Sequence, residues 1–396
     1  MLSDIRNDVF VEALIKRWRP YNDFVRFSGD CVYSRKLNRV ASVDTPVDGS
    51  NMKIELVNSD EFETIKEKAI SICVGKKGIG TQEVTVQILG DSFVNGAFFR
   101  DALLSKNYIP GIKLVGLRNI KNEEGQYDEG RGGWTVKKYF EIPKGEMTSY
   151  HGYMQPVGEY RYWGSCEFWK NCYKVINGEL TDTEIVYNCG RYDQCITKFD
   201  KETGYLAAPK KNDLMYDNAR GSYMVYTGKK WKNVEVDERK WAFNYRKYLD
   251  MWNLDAPKFF AQMLGLNDYR DSLTADYREW NKKIAEMKES YYKAVPDGKF
   301  IILIPCTTCG SLNNIRGDFT LRQNAAMWQL RKNIIDTFDG RESEGYYVVD
   351  IGITIDNEKG YNRNRDGIQT GNPHPYPNYP TMGIPLAAFI QYYREL

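Results

Sequence analysis

Apolar positions recur along this chain on two periods, two and three-to-four residues, and the two alternate. The run Val84-Thr85-Val86-Gln87-Ile88-Leu89 is short, apolar and β-branched, and it stops at Gly90-Asp91-Ser92. Phe98, Phe99, Ala102 and Leu103 then follow at helical spacing. This succession predicts a strand, a tight turn and a helix. Residues 112–117, bounded by Pro110-Gly111, predict a second strand. From Trp241 the same rhythm resumes. Trp241, Tyr245, Tyr248 and Trp252 mark one face of a helix, and a buried strand runs into Gly265-Leu266-Asn267-Asp268. Tyr277, Trp280, Ile284, Met287 and Tyr291 mark another helix, followed by a strand at 300–304. Met327, Leu330, Ile334 and Phe338 precede a strand at 346–351, and 383–393 predicts a closing helix. Alternation of this kind predicts an α/β fold, a doubly wound parallel sheet with helices on both faces.

Two stretches break the rhythm. Residues 1–83 predict a short helix at 10–18, strands from Tyr33 onward, and a connector at Gly75-Lys76-Lys77-Gly78-Ile79-Gly80. This is a small, mostly β accessory module. Residues from about 136 to 235 are rich in tyrosine, asparagine and glycine, with a hairpin-like run at 223–231. They predict a β-rich insertion lying over one rim of the sheet. With 396 residues, the chain divides into 1–83 and a larger domain, 84–396, that carries the insertion.

Composition narrows the classes. Hydrophobic content of 42% with 27% charged residues describes a soluble globular protein. A formal net charge of +2 gives no reason to expect nucleic acid or an acidic membrane surface as partner. No run is long enough to cross a bilayer, so no membrane insertion is expected. The first eight residues carry charge where a secretory signal needs an apolar core. Either the protein is not exported by that route or a leader has been removed. Aromatic residues make up 14%, and Tyr160, Tyr162, Trp163 and Trp169 either contact a sugar or pack on one another. Cys166, Cys172, Cys189 and Cys195 form two C-x5-C pairs, either bridged or free according to compartment. Cys306-Thr307-Thr308-Cys309 has metal-ligand spacing without a histidine, and the 362–373 loop matches a calcium loop only in its first half. No metal or cofactor is expected.

The candidate chemistry centres on Ser92. A serine in that turn sits at the carboxyl end of a strand and the amino end of a helix, where open α/β sheets place ligand crevices. Its hydroxyl needs a base, and imidazole suits the task near neutral pH. The chain has two histidines. His151 lies in the aromatic insertion, whereas His374 lies in a loop before the last helix, which a doubly wound sheet brings to the Ser92 end. The topology selects His374.

Four segments in order resemble the blocks of the SGNH/GDSL hydrolases, esterases with a flavodoxin-like fold. These are Gly90-Asp91-Ser92, Glu129-Gly130-Arg131-Gly132-Gly133-Trp134-Thr135, Gly265-Leu266-Asn267-Asp268 and His374-Pro375. The resemblance spans roughly 84–396 and is closest to carbohydrate acetylesterase-like members from gut bacteria. It implies a Ser92–His374 centre and an oxyanion hole of the Ser92 and Gly133 N–H groups with the Asn267 side chain. Asp91 and Asp268 are expected to orient these loops, and Trp134, Tyr162 and Trp163 to line the substrate site. The family pattern D-x-x-H departs here, because position 371 is glycine. The third member of the triad is then Asp366 across a looped-out segment, Asn372, or a backbone carbonyl. The expected function is removal of acyl groups, acetyl above all, from a carbohydrate. The alternatives are an inactive glycan-binding or structural protein on the same fold, as in a phage particle, and a long-chain lipase or thioesterase.

Overall fold

Burial along the chain follows the expected periods. The computed structural model describes residues 1–14, 23–35, 39–58, 60–96, 98–104, 107–119, 127–190, 192–306, 321–356, 359–363, 365, 374–376 and 379–394. The central sheet is built from β1 (Val84–Gly90), β2 (Ile112–Leu114), β3 (Glu129–Gly130), β4 (Phe259–Met263), β5 (Lys299–Ile304) and β6 (Tyr346–Asp350). Every pairing within it is parallel, in the order β2-β1-β4-β5-β6, and β3 joins β1 beyond the end of β2. β1, β4 and β5 are buried almost throughout, as strands covered on both faces require.

Successive residues of a strand point to opposite faces, and Phe259 and Phe260 show what covers each. The Phe260 ring lies 5.1 Å from Tyr245 and 5.4 Å from Tyr291, which belong to α4 (Tyr245–Trp252) and α6 (Arg278–Ala294). The Phe259 ring lies 6.4 Å from Phe389 on α8 (Tyr379–Arg394). The remaining helices that bear on the site are α1 (Ser92–Asn95), α2 (Phe98–Leu104), α3 (Cys166–Ile176), α5 (Leu266–Tyr269) and α7 (Leu321–Phe338). The order of the sheet reverses at β1, with β2 on one side and β4 on the other. A crevice is expected beyond the carboxyl ends of β1 and β4.

Two expectations need correction. Trp241 is not on the helix; it begins the strand Trp241–Phe243, which pairs antiparallel with Met154–Pro156. The helix starts only after Asn244, whose side chain accepts from the Lys247 N–H and caps it. The insertion is mixed rather than simply β-rich. It holds a four-stranded sheet of Arg161–Ser165, Asp213–Asp217, Ser222–Tyr226 and Trp231–Val234, together with α3 and the short helices Thr183–Cys189 and Asp193–Ile196. Ser165 caps α3 through the Phe168 N–H, and Phe168, Trp169 and Cys172 form its buried face.

Within residues 1–83, Asn7–Phe10, Val32–Arg35 and Val40–Val43 form one antiparallel sheet, and Asp23–Gly29, Asn51–Asn58 and Thr64–Ser71 another. Val9, Val11, Val25, Phe27, Ala41, Met52 and Ile72 make a small core there, against which Ile353 also packs. Of the helix expected at 10–18, Val11–Leu14 is helical, Phe10 belongs to a strand, and 15–18 lie outside the described residues.

Candidate active site

β1 ends at Gly90, and Asp91 caps the helix that follows by accepting from the Phe93 N–H at 3.1 Å. Ser92, half-buried, is the first residue of α1. His374 Nε2 stands 2.8 Å from Ser92 Oγ, although the two are 282 positions apart in the chain. The imidazole rests against the Phe93 ring, 4.9 Å between centroids. Burial, aided by the Arg270 charge, lowers His374 to about 4, so its ring is neutral at pH 7 and can take a hydroxyl proton. His151 is committed elsewhere. Its Nδ1 accepts from the Tyr153 N–H at 3.2 Å and its Nε2 meets the Glu141 carbonyl at 3.0 Å. Burial lowers it to about 3.

The glycine-rich loop after β3 reaches the same rim. The Arg131 N–H donates to the Gly90 carbonyl at 2.9 Å, fastening the loop to the end of β1. Gly130 has to be glycine, because a Cβ there would run into the backbone of Val94 and Asn95 on α1. Gly133 is exposed with φ +72, a conformation that favours glycine, and space around its Cα is open. Among the described residues the N–H groups of Ser92 and Gly133 have no hydrogen-bond acceptor.

Asn267, on α5, ties the three loops together. Its Nδ2 donates to the Trp134 carbonyl at 3.1 Å and to Asp91 Oδ2 at 3.3 Å. Its neighbour Asp268 accepts from the Val136 N–H at 3.0 Å. Both aspartates therefore hold loops. Burial pushes Asp91 up to about 7, with the Asp268 charge adding to the shift and the Phe93 N–H opposing it. Burial pushes Asp268 up to about 6.

No known family profile matches the sequence, and no curated protein matches it. Solved structures are similar at a low level. A carbohydrate esterase family 3 protein from Talaromyces cellulolyticus is 12% identical over 79% of this chain and 99% of its own, with a TM-score of 0.33. An acetyl esterase mutant with acetate ion gives the same identity, coverage and TM-score. A peptidoglycan O-acetylesterase is 12% identical over 80% of this chain and 93% of its own, with a TM-score of 0.32. A likeness this slight says nothing about activity.

Behind the rim lies a buried polar cluster with no counterpart in the sequence reading. Arg131 and Glu129 pair at 2.7 Å, both essentially inaccessible. Arg131 also donates to the Tyr150 carbonyl at 2.7 Å and the Tyr192 hydroxyl at 3.0 Å, both in the insertion. Glu129 Oε1 accepts from the Leu117 N–H and the Tyr248 hydroxyl, each at 2.6 Å. The Tyr139 hydroxyl donates to the Gly90 and Glu129 carbonyls at 2.8 and 2.6 Å. The available signal was two opposite charges flanking a glycine in the glycine-rich segment.

The expected substrate-facing aromatics are a correction. Tyr162 is fully buried, its hydroxyl donating to the Pro143 carbonyl at 2.5 Å. The Trp163 indole donates to Asp213 at 3.0 Å from the core. Trp134 is also buried, packed between Tyr139 and His151. Trp169 stacks on Phe199 at 3.9 Å. Self-packing therefore explains these rings, since a face already in van der Waals contact is closed to a ligand. Asp366 and Asn372, candidates for the third triad position, lie outside the described residues, as do Cys309 and most of the calcium-like loop. None of Cys166, Cys172, Cys189 and Cys195 is in a disulfide. Among the described residues there is no group of three potential metal ligands, and no helix is long and apolar enough to cross a membrane.

Proposed function

We propose that the protein is a serine esterase that removes O-acyl groups, acetyl above all, from a carbohydrate. The 2.8 Å contact between Ser92 Oγ and His374 Nε2 carries this reading, because it joins an alcohol to a neutral imidazole. In the proposed cycle Ser92 Oγ attacks the acyl carbon while its proton passes to His374 Nε2. The carbonyl π electrons move onto oxygen, where the N–H groups of Ser92 and Gly133 stabilise the charge. Asn267 joins them by exchanging its longer hydrogen bond, to Asp91, for the oxyanion. Collapse of the intermediate breaks the ester C–O bond, and His374 returns its proton to the departing sugar oxygen. Water then hydrolyses the acyl-serine by the same steps, with His374 as base and then acid.

The sheet supports the fold half of the reading. Counted along the chain without β3, its strand order is 2-1-3-4-5, that of flavodoxin-like doubly wound sheets, with Ser92 at the switch point. In this reading 84–396 forms the hydrolase domain and 1–83 an accessory module. Asp91 adjoins the serine in the chain, and Asn267 donates to Asp91 at 3.3 Å, polar surroundings suited to a short acyl group on a polyhydroxyl alcohol. The test is hydrolysis of p-nitrophenyl acetate together with acetate release from acetylated oligosaccharides. Ser92→Ala is expected to lower turnover by about 10⁴-fold or more, and a phosphonate ester to label Ser92 in the unmodified chain. Faster turnover of decanoyl than of acetyl esters would overturn the substrate class, and unlabelled, inactive protein would overturn the enzyme.

A further inference from the structure

We propose that a cleft lined by Asp268, the neighbour of Asn267, holds the sugar of the substrate as a neutral polyhydroxyl ring, stacked on Tyr269; this rests on the esterase reading above. The cleft measures about 390 Å³, within the ~300–1,000 Å³ range of small-ligand sites. It lies between the turn Lys137–Phe140, α5 and the first residues of α6. Val136 and Asp268, joined at 3.0 Å, form the wall it shares with the active site. Each is within two residues of a group at the reacting centre: Asp268 follows Asn267, and Val136 stands two after Trp134, whose carbonyl Asn267 holds. All of these follow the carboxyl ends of β3 and β4, so the cleft and Ser92 share one rim.

Two features give the ligand its chemistry. Trp280 lines the cleft at 1% exposure, and its indole N–H has no partner among the described residues. A buried donor left unmet is costly, and a sugar hydroxyl oxygen would satisfy it if the ring moves to bring its N–H to the cleft surface. Charges are mixed in the cleft, which is lined by Lys137 and Lys283 and by the carboxylates of Glu141, Asp268 and Glu279. That mixture disfavours a polyanion and offers both donors and acceptors to hydroxyl groups. Lys283 Nζ already sits 4.2 Å over the Phe140 ring, which leaves half-buried Tyr269 as the aromatic platform.

The experiment uses the full chain carrying Ser92→Ala, titrated calorimetrically with acetylated xylo- and chito-oligosaccharides and with oligogalacturonates. Neutral sugars are expected to bind, and Tyr269→Ala in that background to weaken them at least tenfold. Tyr269→Phe, which keeps the ring, is expected to restore binding. Glu279→Ala, an exposed change at the mouth, is expected to weaken binding several-fold, so the result does not depend on the folding of one variant. In the chain with Ser92 intact, Tyr269→Ala is expected to raise KM for the acetylated sugar tenfold with kcat changed far less. Affinity indifferent to Tyr269→Ala, a Phe variant as damaged as the Ala variant, or binding of galacturonates alone would overturn the cleft. Loss of p-nitrophenyl acetate turnover and of Ser92 labelling in the unmodified chain would overturn the esterase instead, leaving sugar affinity to judge the cleft separately.

Discussion

The imidazole of His374 is held neutral by burial and by the Arg270 charge, and this sets where the proposed chemistry begins. A base acts only when deprotonated, so activity is expected in full above its pKa and to disappear as pH falls through it. The acid limb of kcat/KM for p-nitrophenyl acetate should therefore centre near pH 4. A limb at about 6.5, the ordinary imidazole value, would refute the burial argument. Asn267→Ala removes one oxyanion donor and is expected to lower kcat by about 10²–10³-fold with little change in KM. Asp91 acts on stability with a definite sign. Its folded pKa of about 7 lies above the ordinary carboxylate value, so the folded state holds a proton that the unfolded state has lost. Stability from this group falls as pH rises from about 4 to about 7 and is level beyond that window. Asp91→Asn keeps an acceptor for the Phe93 N–H and removes the titration. Melting temperatures of the two proteins, measured from pH 5 to 8, should diverge in favour of the variant as pH rises. Parallel curves would show that the carboxyl is not held protonated.

At the scale of elements, a buried ion pair and the insertion clamp the glycine-rich loop. Glu129 and Arg131 lie on either side of Gly130, and the guanidinium reaches Tyr150 and Tyr192 across the gap. Removing one partner strands the other charge in the core. Glu129→Ala is expected to cost about 3–5 kcal/mol in denaturant unfolding. A cost below about 1 kcal/mol would mean that the pair is hydrated. Here the sequence was only partly legible. Gly130 and Gly133 stood out as glycines, but nothing local distinguishes a charge that solvates a loop from one buried beneath it. The insertion shows the same limit. Its tyrosines and tryptophans suggested strands and a ligand surface, yet Phe168, Trp169 and Cys172 line one face of a capped helix and fill the core.

For the whole molecule, residues 1–83 sit against the closing helix of the sheet. The Gln391 side chain donates to the Ile79 carbonyl at 2.8 Å, and Ile353 completes the small N-terminal core. Deleting 1–83 is expected to uncover Ile353 and the part of α8 around Gln391, lowering the melting temperature and raising dye binding to exposed hydrophobic surface. An unchanged melt would show two units that are stable independently. Outside the insertion and Trp241–Phe243, the alternation of strand and helix from β1 to α8 was determined by the sequence alone, because periodicity records which side of each segment is buried. The turn at Gly90-Asp91-Ser92 and the choice of His374 over His151 also followed from order along the chain. The 2.8 Å between hydroxyl and imidazole, the hydrogen bonds made by Asn267, and the inward turn of Tyr162 and Trp163 were decided only by the tertiary structure. Each depends on a partner far away in the chain, and no local pattern of polar and apolar positions encodes which distant group will arrive.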